Sequence, residues 1–185
     1  MIFNKHSELA GQHAYLSASK HSWVNYDDEK FDRTLRTALA AQRGTDMHDL
    51  AHRMIKLRVK MERTTATLNM YVNDCIGFKM QPETLLFYSF NAFGTADAIS
   101  FRDGVLRIFD LKTGINQTSF RQLCIYAAFF CLEYDERPED IEIDLRIYQN
   151  DEVKLYEPEE GEIRFIMNQM IKFDAYINTV RKEEL

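Results

Sequence analysis

Residues 93–114, FGTADAISFRDGVLRIFDLKTG, carry Asp97 and Asp110 on either side of an Asp-Gly turn, with Lys112 two residues past the second acid. Asp-Gly is a preferred two-residue turn between antiparallel strands. Centring the turn on Asp103 and Gly104 sets a register in which Phe101 faces Leu106, Ile99 faces Ile108 and Asp97 faces Asp110. Directly opposed residues have β-carbons roughly 5 Å apart, and like charges so placed repel. Side chains alternate along a strand, so Lys112 shares a face with Asp110 while Leu111 takes the other. Two acids and a lysine gather at the open end of one hairpin.

Two facing carboxylates stay ionised together only when a cation lies between them; otherwise one keeps a proton. Oxygen donors favour hard ions such as Mg²⁺ or Mn²⁺, and an added imidazole moves the preference toward Mn²⁺. A lysine is a poor ligand for such an ion. Beside a reacting phosphate it has a use, because it can orient an attacking water or offset charge gathering on phosphorus. The set therefore suits metal-assisted hydrolysis of a phosphodiester. It equally suits a surface hairpin with a solvated Asp–Lys pair, and on these residues alone both readings stand.

The elements around the hairpin must position it. Residues 17–26 predict a short capped helix, and a second helix runs over about 30–42. Gly44 is expected to break it, with Thr45 capping a new helix that reaches about Arg63. On that helix Leu50, Met54, Leu57 and Met61 form an apolar stripe, and Arg53, Lys56, Lys60 and Arg63 a basic one. Such a basic stripe is either the ordinary wet face of an amphipathic helix or a surface for a phosphate partner. His48 falls in the first turn. A helix over about 65–75 leads into the strand TLLFYSF and then the hairpin. After it come a helix over about 117–134, the strand IEIDLRIYQ, the short strand VKLYE and an amphipathic helix over about 159–181. The prediction is a mixed α/β fold.

The bulk composition narrows the class. With 185 residues, 45% of them hydrophobic and 28% charged, the chain reads as one domain, 1–185, with a proper core. Its longest apolar run, residues 123–132, is too short to span a bilayer. The first residues lack a signal-peptide pattern, and three cysteines without CxxC spacing suit a reducing cytoplasm. The net charge of −6 argues against general affinity for nucleic acid. The charge is uneven, however: acids heavily outnumber bases over residues 133–162, and the balance tips toward bases over 20–63.

Gly94-Thr95-Ala96-Asp97, Asp110-Leu111-Lys112-Thr113-Gly114 and Gln122-Leu-Cys-Ile-Tyr126 resemble, in order and spacing, the successive motifs of the PD-(D/E)xK nuclease superfamily. The closest branch is the RecB-type and lambda-exonuclease-like group, whose histidine motif RGTDMHDLAH (residues 43–52) also resembles. The opening YLSASKHSW is similar to phage and bacterial members. The likeness covers about residues 17–126.

The resemblance implies a restriction-endonuclease-like αβββαβ core over about 44–150, an N-terminal helical region over 1–43, and an extra short strand with a C-terminal helix over 151–185. It implies a Mg²⁺- or Mn²⁺-dependent deoxyribonuclease, with exonuclease action favoured over endonuclease action, in phage or bacterial DNA processing. His48, Asp97 and Asp110 would hold the ion together with the Leu111 carbonyl, and Lys112 would position the attacking water. Gln122 and Tyr126, one helical turn apart, would brace the site and meet the nucleic acid. Glu83 stands where relatives carry a further acid. Each has a plainer role open to it: His48 a helix-end residue, Gln122 an exposed helix position, Tyr126 core, Glu83 a solvated strand-edge acid. Some relatives carry four cysteines around an iron–sulfur cluster; three cysteines cannot fill that site, so no cluster is expected. DNA is the expected partner, with a homo-oligomer or a recombination protein as further partners and no membrane. Two rival functions remain: a non-catalytic nucleic-acid- or protein-binding module keeping the nuclease fold, and a metal-dependent hydrolase of RNA or of a small phosphorylated molecule.

Overall fold

Asp103 and Gly104 take positive φ values of 52° and 77°, the backbone that a two-residue turn between twisted strands requires. Around this turn the computed structural model, which describes residues 4–9, 11, 14–159 and 161–184, folds β2 (Ala92–Arg102) against β3 (Val105–Leu111). Phe101 lies opposite Leu106 and Ile99 opposite Ile108, the register that the turn predicts. The ladder stops at Ala98–Phe109, one pair before the two aspartates.

β1 (Gln81–Ser89) pairs antiparallel with the free edge of β2, and β4 (Glu142–Gln149) runs parallel to β3. β5 (Glu152–Tyr156) closes the far edge antiparallel to β4, so the sheet order is β1-β2-β3-β4-β5. A parallel neighbour needs a crossover rather than a hairpin, and α3 (Arg121–Tyr134) supplies it between β3 and β4. With α1 (Asp28–Leu57), α2 (Thr67–Gly77) and α4 (Glu162–Glu183), the fold is mixed α/β, four α-helices with a five-stranded mixed sheet among the described residues.

The chain divides into two compact units, Met1–Arg43 and Gly44–Leu185. The first holds 3-10 turns at Ser7–Leu9 and His21–Asn25 and the beginning of α1. The second turn stands where a capped helix over 17–26 is predicted, and no side chain caps it. The second unit holds the rest of α1, α2 to α4 and the sheet.

Gly44 does not break the helix. α1 runs through it without interruption, and Gly44 itself is buried. A glycine costs a helix only about 1 kcal/mol relative to alanine, which tertiary packing overrides. The helix ends at Leu57 instead of Arg63, where Arg58 turns to φ 56°. Lys60 and Arg63 therefore lie beyond it, and the predicted basic stripe does not exist as one helical face. α3 also starts later than expected, at Arg121, leaving 117–120 to the approach from β3.

Both faces of the sheet are covered. Leu106 and Ile108 of β3 point to one face, where they join Leu123, Ala127, Phe130, Ile163 and Ile166 of α3 and α4. Phe109 and Leu111 point to the other, against Ala51 and Ile55 of α1, Tyr71, Val72 and Cys75 of α2, and Tyr148. By the same alternation Asp110 belongs to the α3 face. Each such aliphatic or aromatic side chain, fully buried, contributes about 1.5–3 kcal/mol. The cysteines Cys75, Cys124 and Cys131 are free and buried, and burial pushes the thiols of Cys124 and Cys131 up to about 12 and about 11. Among the described residues no helix is long and apolar enough to cross a membrane.

Ile108 is 1% exposed at the centre of this sandwich. Ile108→Ala is expected to lower unfolding stability by about 2–5 kcal/mol, read from the midpoint shift of a urea melt.

Candidate active site

The site forms where β2 and β3 part. Beyond the last ladder pair, the Leu111 N–H donates to Asp97 Oδ2 at 3.0 Å, a side chain standing in for the missing strand partner. The Lys112 N–H donates to the Tyr148 carbonyl at 2.9 Å, which carries the β3–β4 pairing one residue further. The backbone of 110–112 is thus gripped from both neighbouring strands, and the direction of its side chains is set.

From that backbone a chain of contacts runs outward. Lys112 Nζ donates to Asp110 Oδ1 at 2.9 Å and to Gln122 Oε1 at 3.3 Å. Gln122 Nε2 in turn donates to the Tyr126 hydroxyl at 3.0 Å, along one turn of α3. Tyr126 comes close enough because position 94 is glycine: a β-carbon there would lie 3.0 Å from Tyr126 Cε1. On the other side, His48 Nδ1 lies 3.4 Å from Asp97 Oδ2.

Asp110 is the tense member of the group. It is 3% exposed, and its Oδ2 is buried with no hydrogen-bond partner. Burial, followed by the charge of Asp97, pushes its carboxyl above the ordinary range; Lys112 and His48 pull the other way and do not win. Such an orphaned oxygen, one of four buried side-chain polar atoms without a partner among the described residues, is accounted for by a retained proton, an ordered water or a bound ion. The side-chain donors nearby are the carboxylates of Asp97 and Asp110 and the His48 imidazole, oxygen and nitrogen groups of the kind that hard divalent ions take. The side chains meet in pairs, though: among the described residues no group of three or more His, Cys, Asp or Glu converges as a metal cluster.

Glu83 reaches the same end of the sheet by a different route. β1 pairs with β2 at Pro82–Ala98 and Thr84–Ala96, which sets Glu83 across from Asp97. Its φ of 47° is left-handed, an irregularity within the strand. Its carboxylate lies 3.2 Å from Nδ1 of His52, one helical turn beyond His48 on α1. His52 is a residue that the sequence reading left unassigned, although its four-residue spacing from His48 was visible.

No protein-family model, curated protein or solved structure matches the chain. The weight rests on the geometry.

A second unassigned residue is Gln149, at the end of β4 and 2% exposed. Its Nε2 donates to the carbonyls of Gly114 at 2.5 Å and Asn116 at 2.8 Å, and its Oε1 accepts from Thr118 Oγ1 at 3.3 Å. No local signal announces this, because the partners come from a different part of the chain.

The raised carboxyl of Asp110 has a consequence for stability. Within the window between the ordinary aspartate value of about 4 and the raised one, the native state holds a proton that the unfolded chain has lost. Stability therefore falls as pH rises through that window. In chelator at pH 7, Asp110→Asn is expected to melt at a higher temperature than wild type, with the gap shrinking as pH falls below the ordinary aspartate value. A melting temperature below that of wild type at pH 7 would contradict this account of Asp110.

Proposed function

We propose that this protein is a metal-dependent nuclease that hydrolyses DNA phosphodiester bonds, acting by preference at DNA ends. In this reading α2, β1, β2, β3, α3 and β4 form the restriction-endonuclease-like αβββαβ core of the PD-(D/E)xK superfamily. The element order and the mixed sheet support it. The observation that carries the proposal is the buried Asp110 carboxylate, with one oxygen on the Lys112 ammonium and the other without a partner, beside Asp97. A packed core gains nothing from such an arrangement, whereas an ion-holding site needs it.

Asp97, Asp110, His48 and the Leu111 carbonyl would hold Mg²⁺ or Mn²⁺, whose positive charge would stabilise the charge gathering on the phosphate oxygens. The remaining work belongs to the chain. Asp110 and Gln122 hold the Lys112 ammonium from two sides, so its third proton can be offered to a water or to a non-bridging phosphate oxygen. Gln122 spends its carbonyl on Lys112 and its amide on Tyr126, which locks the lysine to α3. Gln122 is exposed and Tyr126 half-buried, so both can face a strand lying across the site. Glu83, with His52 Nδ1 3.2 Å from its carboxylate, would add a further acid at the rim of the site. A chain with a net charge of −6 must bind DNA through local contacts, with affinity that weakens steeply in salt.

Incubation with linear and closed-circular DNA, single- and double-stranded, and with RNA tests the reading in Mg²⁺, Mn²⁺ and chelator. Cleavage of DNA is expected with either ion and none in chelator. Asp110→Ala is expected to abolish cleavage while keeping the fold. Lys112→Ala is expected to lower kcat by about 10²-fold or more while leaving the ion's affinity, measured by calorimetry, nearly unchanged. Full activity in Asp110→Ala would refute the proposal.

A further inference from the structure

Between Lys112 and Gln122 the chain crosses the edge of the site as a loop, residues 113–120. Near its start stands Ile115, 88% exposed. A single exposed isoleucine means little by itself. What sets this one apart is its backbone. The carbonyls immediately before and after it, those of Gly114 and Asn116, both accept from the one buried amide of Gln149.

Gln149 is also fully engaged through its oxygen, which accepts from Thr118 Oγ1 at 3.3 Å and from Lys154 Nζ at 3.4 Å. A buried glutamine amide that satisfies every donor and acceptor is costly to assemble and rigid once formed. Here it fastens an otherwise irregular loop at three successive points, 114, 116 and 118, and leaves an apolar, β-branched side chain pointing away from the protein. Nothing in the core requires this, since Ile115 packs against neither hydrophobic cluster. The loop is further seated at its first residue. Thr113 Oγ1 lies where a β-carbon on Gly44 would come within 2.8 Å, so the absence of that carbon lets the loop approach α1.

The distance to the chemistry is short. Ile115 stands three positions after Lys112, so their Cα atoms lie at most about 11 Å apart. That is the rise of about three stacked nucleotides at 3.4 Å each. A strand whose phosphate sits at Lys112 brings its next bases or sugars within reach of the isoleucine. Apolar side chains held out in this way pack on deoxyribose or wedge between bases, and they do so well only if the backbone that carries them does not yield.

We propose that Ile115 is a substrate-contacting residue that packs on a base or deoxyribose of the bound DNA strand, and that Gln149 is the positioning residue that presents it. The proposal rests on the nuclease reading above and adds to it a contact on the nonpolar part of the nucleotide.

The test combines steady-state cleavage of a linear duplex oligonucleotide in Mn²⁺ with amide hydrogen exchange over residues 113–118 in the free protein, for wild type, Ile115→Ser and Gln149→Met. Ile115→Ser is expected to raise KM about tenfold, the scale of one lost apolar contact, with kcat within about twofold of wild type and an unchanged melting temperature. Gln149→Met is expected to raise KM in the same way and to speed exchange across 113–118, with kcat again little changed. Because Ile115 is exposed, its serine variant folds whatever Gln149→Met does, and an unchanged KM in that variant overturns the proposal. Unaltered exchange in Gln149→Met overturns the positioning role. A wild-type protein that cuts no DNA overturns the nuclease reading and this inference together; one that cuts normally, beside an unaffected Ile115→Ser, overturns this inference alone.

Discussion

A carboxylate almost wholly removed from water, next to a second carboxylate, is the constraint around which the rest of the site is arranged. Asp110 holds one hydrogen bond from Lys112 and leaves its other oxygen partnerless. Burial and the nearby Asp97 charge disfavour the charged form, and the Lys112 hydrogen bond opposes them. Neighbouring residues ease the tension only in part. Asp97 turns its own oxygen to the Leu111 N–H and lies near His48, and Lys112 neutralises one side of Asp110. The group reads as a set of donors held apart and short of one positive charge.

The fold supplies the rigidity that such a group needs. β3 lies between two neighbours of opposite sense, antiparallel β2 and parallel β4, and the strands diverge just where the acids stand. Two glycines let other elements close in. Gly94 admits the ring of Tyr126, and Gly44 admits Thr113 at the head of the following loop. In the middle of a helix Gly44 costs about 1 kcal/mol, a modest penalty for bringing the loop after Lys112 against α1.

The hairpin and its register were legible in the sequence because the turn chemistry of Asp103-Gly104 is local and counts residues outward in both directions. The same counting set Asp97 opposite Asp110 but could not foresee that backbone pairing would end one step earlier, with the Asp97 side chain taking over as acceptor. The four-residue spacing of Gln122 and Tyr126 was equally legible, and they do share one turn of α3. Gly44 misled because glycine is a weak helix breaker when packing favours continuity, and the basic stripe that depended on a longer helix went with it. His52 could have been found from its spacing to His48. Gln149 could not, since it meets Gly114 and Asn116 from 35 and 33 residues away, and only the folded sheet brings them together.

The most direct test follows the Asp110 carboxyl itself, by carbon NMR of aspartate-labelled protein titrated in chelator and again in saturating Mg²⁺. The account predicts a titration midpoint above the ordinary aspartate range in chelator and well below that range once the ion is bound. One midpoint shared by both conditions would mean that no cation completes the site, and the nuclease assignment would lose its physical basis.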